Sequence, residues 1–334
     1  MFKQRRIFIL ALPETVATPL VGISDILNAI PSLNQLDPSV PSQAPYNVSF
    51  VSESGAEVCT ASNITVKTDY KLTDMPKADA IILPSIVLPD NKMWVSGRYP
   101  ALTNWLKNMH FQGAEIYTAC SGVFLLAETG LLDGKEATLH WAHTDAFSQA
   151  FPNVRVNKRK MIVYSGGRAG FVMSGAASSW QDLVLHMVAR HLGSSVSYIL
   201  SKFFALQWQS DGQSPFEVFL PNFDHDDAVI LRAQEWLAEH FSFPNPVEEM
   251  VRVSGISERS FTRRFDAALS LTPIKYVQHL RIEQAKRQLE SGTVSIEDIS
   301  WRVGYEDPAF FRRLFKRITG LTPGMYRKNY ATII

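Results

Sequence analysis

The sequence predicts an α/β front domain, an open sandwich around a largely parallel sheet, followed by an all-α domain with two helix-turn-helix motifs. Three observations carry this prediction. Short apolar runs alternate with helical patterns over roughly the first 200 residues, a stretch of Gly, Pro and Asp then interrupts the alternation, and the last 90 residues contain an internal repeat.

In the front domain, residues 7–12, 48–51, 80–83 and 116–118 are short apolar runs bounded by turn formers. Runs of this kind read as strands buried on both faces of a parallel sheet. Residues 23–30, 94–109, 123–129 and 176–191 read as helices between or after them. Residues 154–156 and 161–164 flank the polar segment Asn157-Lys158-Arg159-Lys160 and read as a hairpin. The Pro- and Ser-rich stretch 31–45 reads as a loop. Gly212, Pro215, Pro221 and the run Asp224-His225-Asp226-Asp227 mark a linker, with Asp226 placed as the N-cap of the next helix. The expected boundaries are 1–205, a linker over 206–226, and 227–334.

Hydrophobic residues make up 46% and charged residues 19% of the 334, which excludes a disordered chain and suits two domains. No apolar run has the length of a bilayer span, the first residues lack a signal-peptide pattern, and Cys59 and Cys120 cannot form a disulfide framework. The expected location is the cytoplasm, with no membrane partner. Net charge is +1, but from Ser257 onward 14 Lys and Arg face 8 Asp and Glu, a balance of +6 that leaves −5 on the preceding 256 residues. A basic tail behind an acidic front suggests a polyanion as the tail's partner.

The repeat sharpens that suggestion. Residues 250–255 match 299–304, and Phe261, Arg263, Phe265, Leu271, Thr272, Pro273 and Tyr276 recur fifty residues later as Phe311, Arg313, Phe315, Leu321, Thr322, Pro323 and Tyr326. Each copy reads as helix, glycine turn, helix. Val247, Met250 and Val251, and likewise Ile296, Ile299 and Val303, share one face of the first helix. Gly255 and Gly304 supply the left-handed turn. The paired phenylalanines point inward. Ser257, Arg259, Ser260, Thr262 and Arg263 are left outward in one copy, and Asp307, Ala309, Arg312, Arg313 and Lys316 in the other. Arginine can pair with guanine edges, and Ser, Thr and Lys with bases or phosphates. A helix over 273–289, with Ile282, Ala285 and Leu289 inward, braces the two copies.

With these motifs, 228–330 resembles the DNA-binding domain of the AraC/XylS family. The resemblance rests on Val-Ser-Gly-Ile-Ser-Glu-Arg-Ser-Phe (253–261), Leu-Thr-Pro-Ile-Lys-Tyr-Val (271–277), Leu-Arg-Ile-Glu-Gln-Ala (280–285), Val-Gly-Tyr-Glu-Asp (303–307) and Phe-Lys-Arg-Ile-Thr-Gly-Leu-Thr-Pro (315–323). It implies two recognition helices entering successive major grooves. Pro308 is a departure, tolerable in a first helical turn.

In the front domain Thr118-Ala119-Cys120-Ser121-Gly122 joins a strand to a helix. A thiol on such a turn is expected at the exposed C-terminal edge of the sheet, where open α/β folds bind ligands, with the helix N-terminus lowering its pKa. The stretch 119–141, including Ala137-Thr138-Leu139-His140-Trp141, resembles the PfpI-like class I glutamine-amidotransferase superfamily, more narrowly the branch fused to AraC-type tails. Residues 174–192 with Asp182, and Gly212-Gln213, fit the same branch. The resemblance implies a flavodoxin-like sandwich and places Cys120 at the nucleophile position of the enzymes, with Ser121 where some members carry a histidine and His140 where others do. Glu14 lies near the position of the acid, although a gapless alignment puts Pro19 there. An incomplete acid–base set argues against nucleophilic catalysis.

The expected function is therefore a DNA-binding transcription factor and not an enzyme. A sensor pocket would be lined by Glu14, Ser85, Cys120, Ser121 and His140, with Cys120 and His140 as vestiges of a catalytic pair. Promoter DNA, a small-molecule effector, a second copy of the chain and, for an activator, RNA polymerase are the expected partners. Relatives of this architecture often activate genes of amine, amino-acid or quaternary-ammonium catabolism. No cofactor or metal is expected: His140 and His143 are too few ligands, and His225 beside three aspartates reads as cap and linker. The alternative is a hydrolase or glyoxalase-like thiol enzyme carrying a DNA-binding tail. A third reading makes the front domain a dimerisation platform.

Overall fold

A computed structural model describes residues 4–88, 94–167 and 170–331. Its strands are β1 (Arg5–Leu10), β2 (Tyr46–Ser52), β3 (Val58–Cys59), β4 (Thr65–Val66), β5 (Tyr70–Lys71), β6 (Ala80–Leu83), β7 (Glu115–Ala119), β8 (Glu136–Ala137), β9 (Arg155–Val156), β10 (Ile162–Ser165) and β11 (Phe171–Ser174). Seven of them form one sheet in the order β10-β11-β7-β6-β1-β2-β5, parallel except for the β10–β11 pair. β1 is an interior strand, pairing Ile7 with Val48 on one side and with Ala80 on the other.

Because successive side chains of a strand point to opposite faces, β1 feeds two cores. Ile7 and Ile9 pack with Leu20 and Ile23 of α1 (Ala17–Ala29), with α5 (Trp180–Leu192) and with Leu200 of α6 (Ser194–Phe203). Phe8 and Leu10 pack with Leu102 and Leu106 of α2 (Pro100–Phe111), Phe124 of α3 (Val123–Ala127) and Phe147 of α4 (Thr144–Ala150). Both faces being covered explains why the strands read as unbroken apolar runs.

Several expectations are corrected. Residues 154–156 and 161–164 do not form a hairpin: β9 pairs in parallel with β8, while β10 pairs with β11, a strand the sequence reading missed. The turn between β9 and β10 closes on Asn157, whose Oδ1 accepts from the main-chain N–H of Arg159 and Lys160, and it carries the chain from one sheet to another. The expected helix at 94 starts only at Pro100, whose fixed φ suits a first turn. Trp94 instead packs on Phe124 and donates to Glu128. Gly193, at φ +99°, ends α5, and α6 follows without having been foreseen. Within the expected loop 31–45, a 3₁₀ helix runs over Ile30–Gln35.

The chain divides into Met1–Gln213 and Ser214–Ile334. The first part of the expected linker, up to Gln213, is packed on the front unit. Asp182 accepts the main-chain N–H of Gln209, and Gln213, fully buried, donates from Nε2 to Thr138 Oγ1, Leu139 O and Lys160 O at 3.0–3.1 Å. Gly175 makes that seat possible, since a Cβ there would lie 2.0 Å from Gln213 Nε2.

The second unit is helical: α7 (Ala228–His240), α8 (Pro246–Ser254), α9 (Glu258–Leu269), α10 (Pro273–Glu290), α11 (Ile296–Arg302), α12 (Pro308–Thr319) and α13 (Pro323–Tyr330). Asp227, not Asp226, caps α7, accepting from Val229 and Ile230 N–H. Two small cores form side by side. One gathers Met250, Phe261, Phe265, Tyr276 and Val277, and the other Ile299, Val303, Phe311, Phe315 and Tyr326. α10 serves both, its first half contributing Tyr276 and Val277 and its second Ile282, Ala285 and Leu289.

Candidate functional site

Each core seats one helix-turn-helix. α8 ends at Gly255 (φ +70°) and α9 begins after Ser257; α11 is followed by Gly304 (φ +86°) and α12 begins after Asp307. Phe261, Phe265, Phe311 and Phe315 are wholly buried. Burying a phenylalanine side chain contributes about 1.5–3 kcal/mol, so the four rings lock the outward faces of α9 and α12.

On those faces Arg259, Thr262, Arg263, Ala309, Arg312, Arg313 and Lys316 are exposed, and Ser260 is half-buried. Ser257 and Asp307 are exposed but act first as N-caps, accepting from Ser260 N–H and Ala309 N–H. Arg312 is paired with Glu297 of α11, and Arg313 lies 4.0 Å from Asp307. Both pairs are solvent-exposed, where an ion pair contributes about 0–1 kcal/mol, so either arginine can exchange its carboxylate for a phosphate or base at small cost.

Two cations escaped the sequence reading because a lone Arg reads as surface. Arg264 forks onto Asp227 at 2.6 and 2.8 Å, tying α9 to the start of α7 and holding the Asp227 carboxyl down at about 2. Arg281, 5% exposed, donates to Phe241 O, Gly304 O and Phe243 O at 2.6–2.8 Å and lies over the Tyr305 ring. It thereby ties the segment that follows α7, through Phe241 O and Phe243 O, to the second glycine turn at Gly304 O.

In the front unit Cys120 sits at φ +54° on a 3₁₀ turn, Cys120–Gly122, between β7 and α3. The turn presses on the end of β6, since a Cβ at Gly122 would lie 2.3 Å from Leu83 O. Ser121 Oγ donates to Ile86 O and accepts from Ile86 N–H, at 2.6 and 2.9 Å, and Ser85 Oγ donates to Ala119 O. The exits of β1 and β6 are joined there by a Thr15–Ile86 bridge and by Val87 N–H donating to Glu14 O.

The structure thus brings Cys120, Ser121 and Ser85 together beside the main chain of His140, but not in the expected state. Cys120 is 6% exposed, and burial raises its thiol above the usual range despite hydrogen bonds from Ser85, Ser121 and the His140 main chain. The expected exposed thiol with a lowered pKa is corrected on both counts. α3 has only five residues, and desolvation of the thiolate outweighs its short dipole. His140 Nδ1 accepts from Ala142 N–H, and burial lowers this imidazole's pKa. The Glu14 carboxylate is engaged by Arg98 and Tyr99. Pro19 is buried on α1. Among the described residues no group of three or more His, Cys, Asp and Glu could hold a metal, and no helix is long and apolar enough to cross a membrane.

Comparison with known proteins follows this division. Residues 7–171 match the model of the DJ-1/PfpI family, and residues 250–329 match a model described as a helix-turn-helix domain. The HTH-type transcriptional regulator CdhR of Pseudomonas aeruginosa is 24% identical over 283 residues, covering 84% of this chain and 82% of the relative. The HTH-type transcriptional regulator GlxA of Rhizobium meliloti is 26% identical over 225 residues, covering 67% and 68%. A crystal structure of a candidate transcriptional regulator from Vibrio parahaemolyticus superposes with a TM-score of 0.50 at 19% identity over 60% of this chain and 99% of that one, a likeness of fold. A parallel sandwich with a cysteine elbow, followed by paired helix-turn-helix motifs, defines a class of two-domain helix-turn-helix proteins. Within it, this chain joins a DJ-1/PfpI domain to an AraC-type helix-turn-helix domain, and its relatives are transcriptional regulators.

Proposed function

We propose that the protein is a sequence-specific transcription factor whose front unit answers to a small metabolite. The observation that carries this reading is the duplicated seat of α9 and α12, each on two fully buried phenylalanines with arginines left at the surface. α9 reads one major groove through Arg259, Ser260, Thr262 and Arg263, with Ser257 capping the helix against a phosphate. α12 reads another through Ala309, Arg312, Arg313 and Lys316, with Asp307 in the capping role. The front unit takes the effector at the elbow of Glu14, Ser85, Cys120, Ser121 and His140. An amine or amino-acid derivative is the class the family resemblance favours, and a homodimer activating transcription through RNA polymerase is the working assembly.

The test is affinity for promoter duplexes cut from the DNA flanking the gene. Arg263→Ala and Arg313→Ala should each lose about 1–3 kcal/mol on the cognate duplex and less on random sequence. Unchanged cognate affinity in both variants rules out this assignment of the reading helices.

The left-handed elbow at Cys120 is the one feature that favours the thiol-enzyme reading. Alkylation by iodoacetamide at neutral pH separates the two. A raised thiol behind its neighbours should react more slowly than the exposed Cys59, whereas an enzyme nucleophile should react first.

A further inference from the structure

We infer that residues 155–160 of the front unit form a second nucleic-acid contact, which takes the phosphate backbone of duplex DNA. The inference rests on the reading of the second unit as a DNA-binding domain. Arg155, Lys158, Arg159 and Lys160 are four exposed cations within six residues. With Glu136, Val156 and Asn157, three of them line a concavity of about 420 Å³. Glu136 is the only carboxylate among its lining residues, and it is already occupied by Asn157 Nδ2 at 2.8 Å and Lys160 Nζ at 3.2 Å. The surface therefore stays cationic on the acidic portion of the chain.

The backbone beneath these side chains is held in place. Arg155 N–H donates to Lys135 O and Asn157 N–H to Ala137 O, at 2.9 and 2.8 Å, and the Asn157 side chain closes the turn on Arg159 and Lys160. A prearranged loop loses less on binding than a mobile one. All four cations are exposed, which suits an extended polyanion better than a small anion that a site must enclose.

The position of the loop in the chain supplies the second argument. Gln213, the last residue of the front unit, donates its main-chain N–H to Arg159 O at 2.8 Å and its Nε2 to Lys160 O at 3.1 Å. The next residue begins the helix-turn-helix unit. The loop is thus hydrogen-bonded to the residue at which the front unit ends and the chain passes into the helix-turn-helix unit.

The experiment measures the full chain's affinity for a random-sequence 40-base-pair duplex between 50 and 200 mM salt. Phosphate contacts are sequence-independent, and each one steepens the log–log salt dependence by about 0.9. The triple variant Arg155→Ala, Lys158→Ala, Arg159→Ala should flatten that slope by about 2–3 if these side chains meet phosphates. A charge-matched control, Lys67→Ala, Lys71→Ala, Lys77→Ala, removes three exposed cations elsewhere on the unit and should leave the slope in place. An unchanged slope in the first variant, or an equal flattening in the control, overturns the loop contact while DNA binding itself stands. A wild-type chain that ignores duplex at 50 mM salt sinks both the loop contact and the DNA-binding reading.

Discussion

The two helix-turn-helix copies share their apolar spacing and differ in the polar groups that hold them. The first is braced from outside: Arg264, still 35% exposed, reaches Asp227 at the head of α7, and the Tyr276 hydroxyl accepts from Gln234 of α7. The second is braced from within, by the buried Arg281 spanning three carbonyls, while the equivalent Tyr326 hydroxyl donates to Glu290 at the end of α10. α7 packs against α8 and α9 of the first copy, so that copy can borrow a partner from an added helix. The difference teaches that duplication preserves what the motif buries against itself, whereas the polar supports follow whatever each copy packs against.

The largest effect that tests this contrast should come from the arginines. Arg281→Met removes a buried guanidinium that joins three main-chain carbonyls and should cost about 3–5 kcal/mol, whereas Arg264→Met should cost about 1 kcal/mol because its partner can turn to water. Urea unfolding of the second unit, followed by hydrogen exchange in α9 and α12, measures both. Equal losses would erase the distinction between inner and outer bracing.

Next come the glycine turns. Both glycines have positive φ, so an alanine at Gly255 should cost about 1–2 kcal/mol from backbone strain alone, with nothing within 4 Å of its new methyl. At Gly304 the methyl would also sit 2.6 Å from Ser242 O and 2.7 Å from the Arg281 guanidinium, adding about 1–3 kcal/mol of overpacking. Comparable midpoints for the two variants would mean that the second turn has room to relax. The smallest difference concerns the caps. Ser295 accepts from Asp298 N–H at 3.0 Å and Ser257 from Ser260 N–H at 3.4 Å. Ser295→Ala should therefore lose about 1 kcal/mol and Ser257→Ala about 0.5 kcal/mol. A reversal of that order in thermal melts would show that hydrogen-bond length does not rank these caps.

How far the sequence was legible depended on the range of each interaction. The inward phenylalanines and the glycine turns are written in local periodicity, and the strands β1, β2, β6 and β7 in short apolar runs bounded by turn formers. β11 was missed because Phe171–Ser174 offers only three apolar residues before Ser174, and its partner β7 lies more than fifty residues away. The supposed hairpin at 157–160 failed for the same reason, since its two flanks find partners on different strands. At the elbow, Cys120, Ser121 and Ser85 lie together, but the Glu14 carboxylate is taken by Arg98 and Tyr99 and the thiol is buried, neither of which was readable, because the groups responsible come from separate parts of the chain.

What the amino-acid order settled by itself is the two-part architecture and the duplicated helical motif, because apolar spacing and turn-forming residues act within a few positions of one another. What only the folded chain decided is the electrostatic state of individual groups: a thiol raised by burial, an arginine consumed by three carbonyls, and a glutamine locked beneath a glycine. Those states depend on solvent exclusion and on partners brought from distant segments.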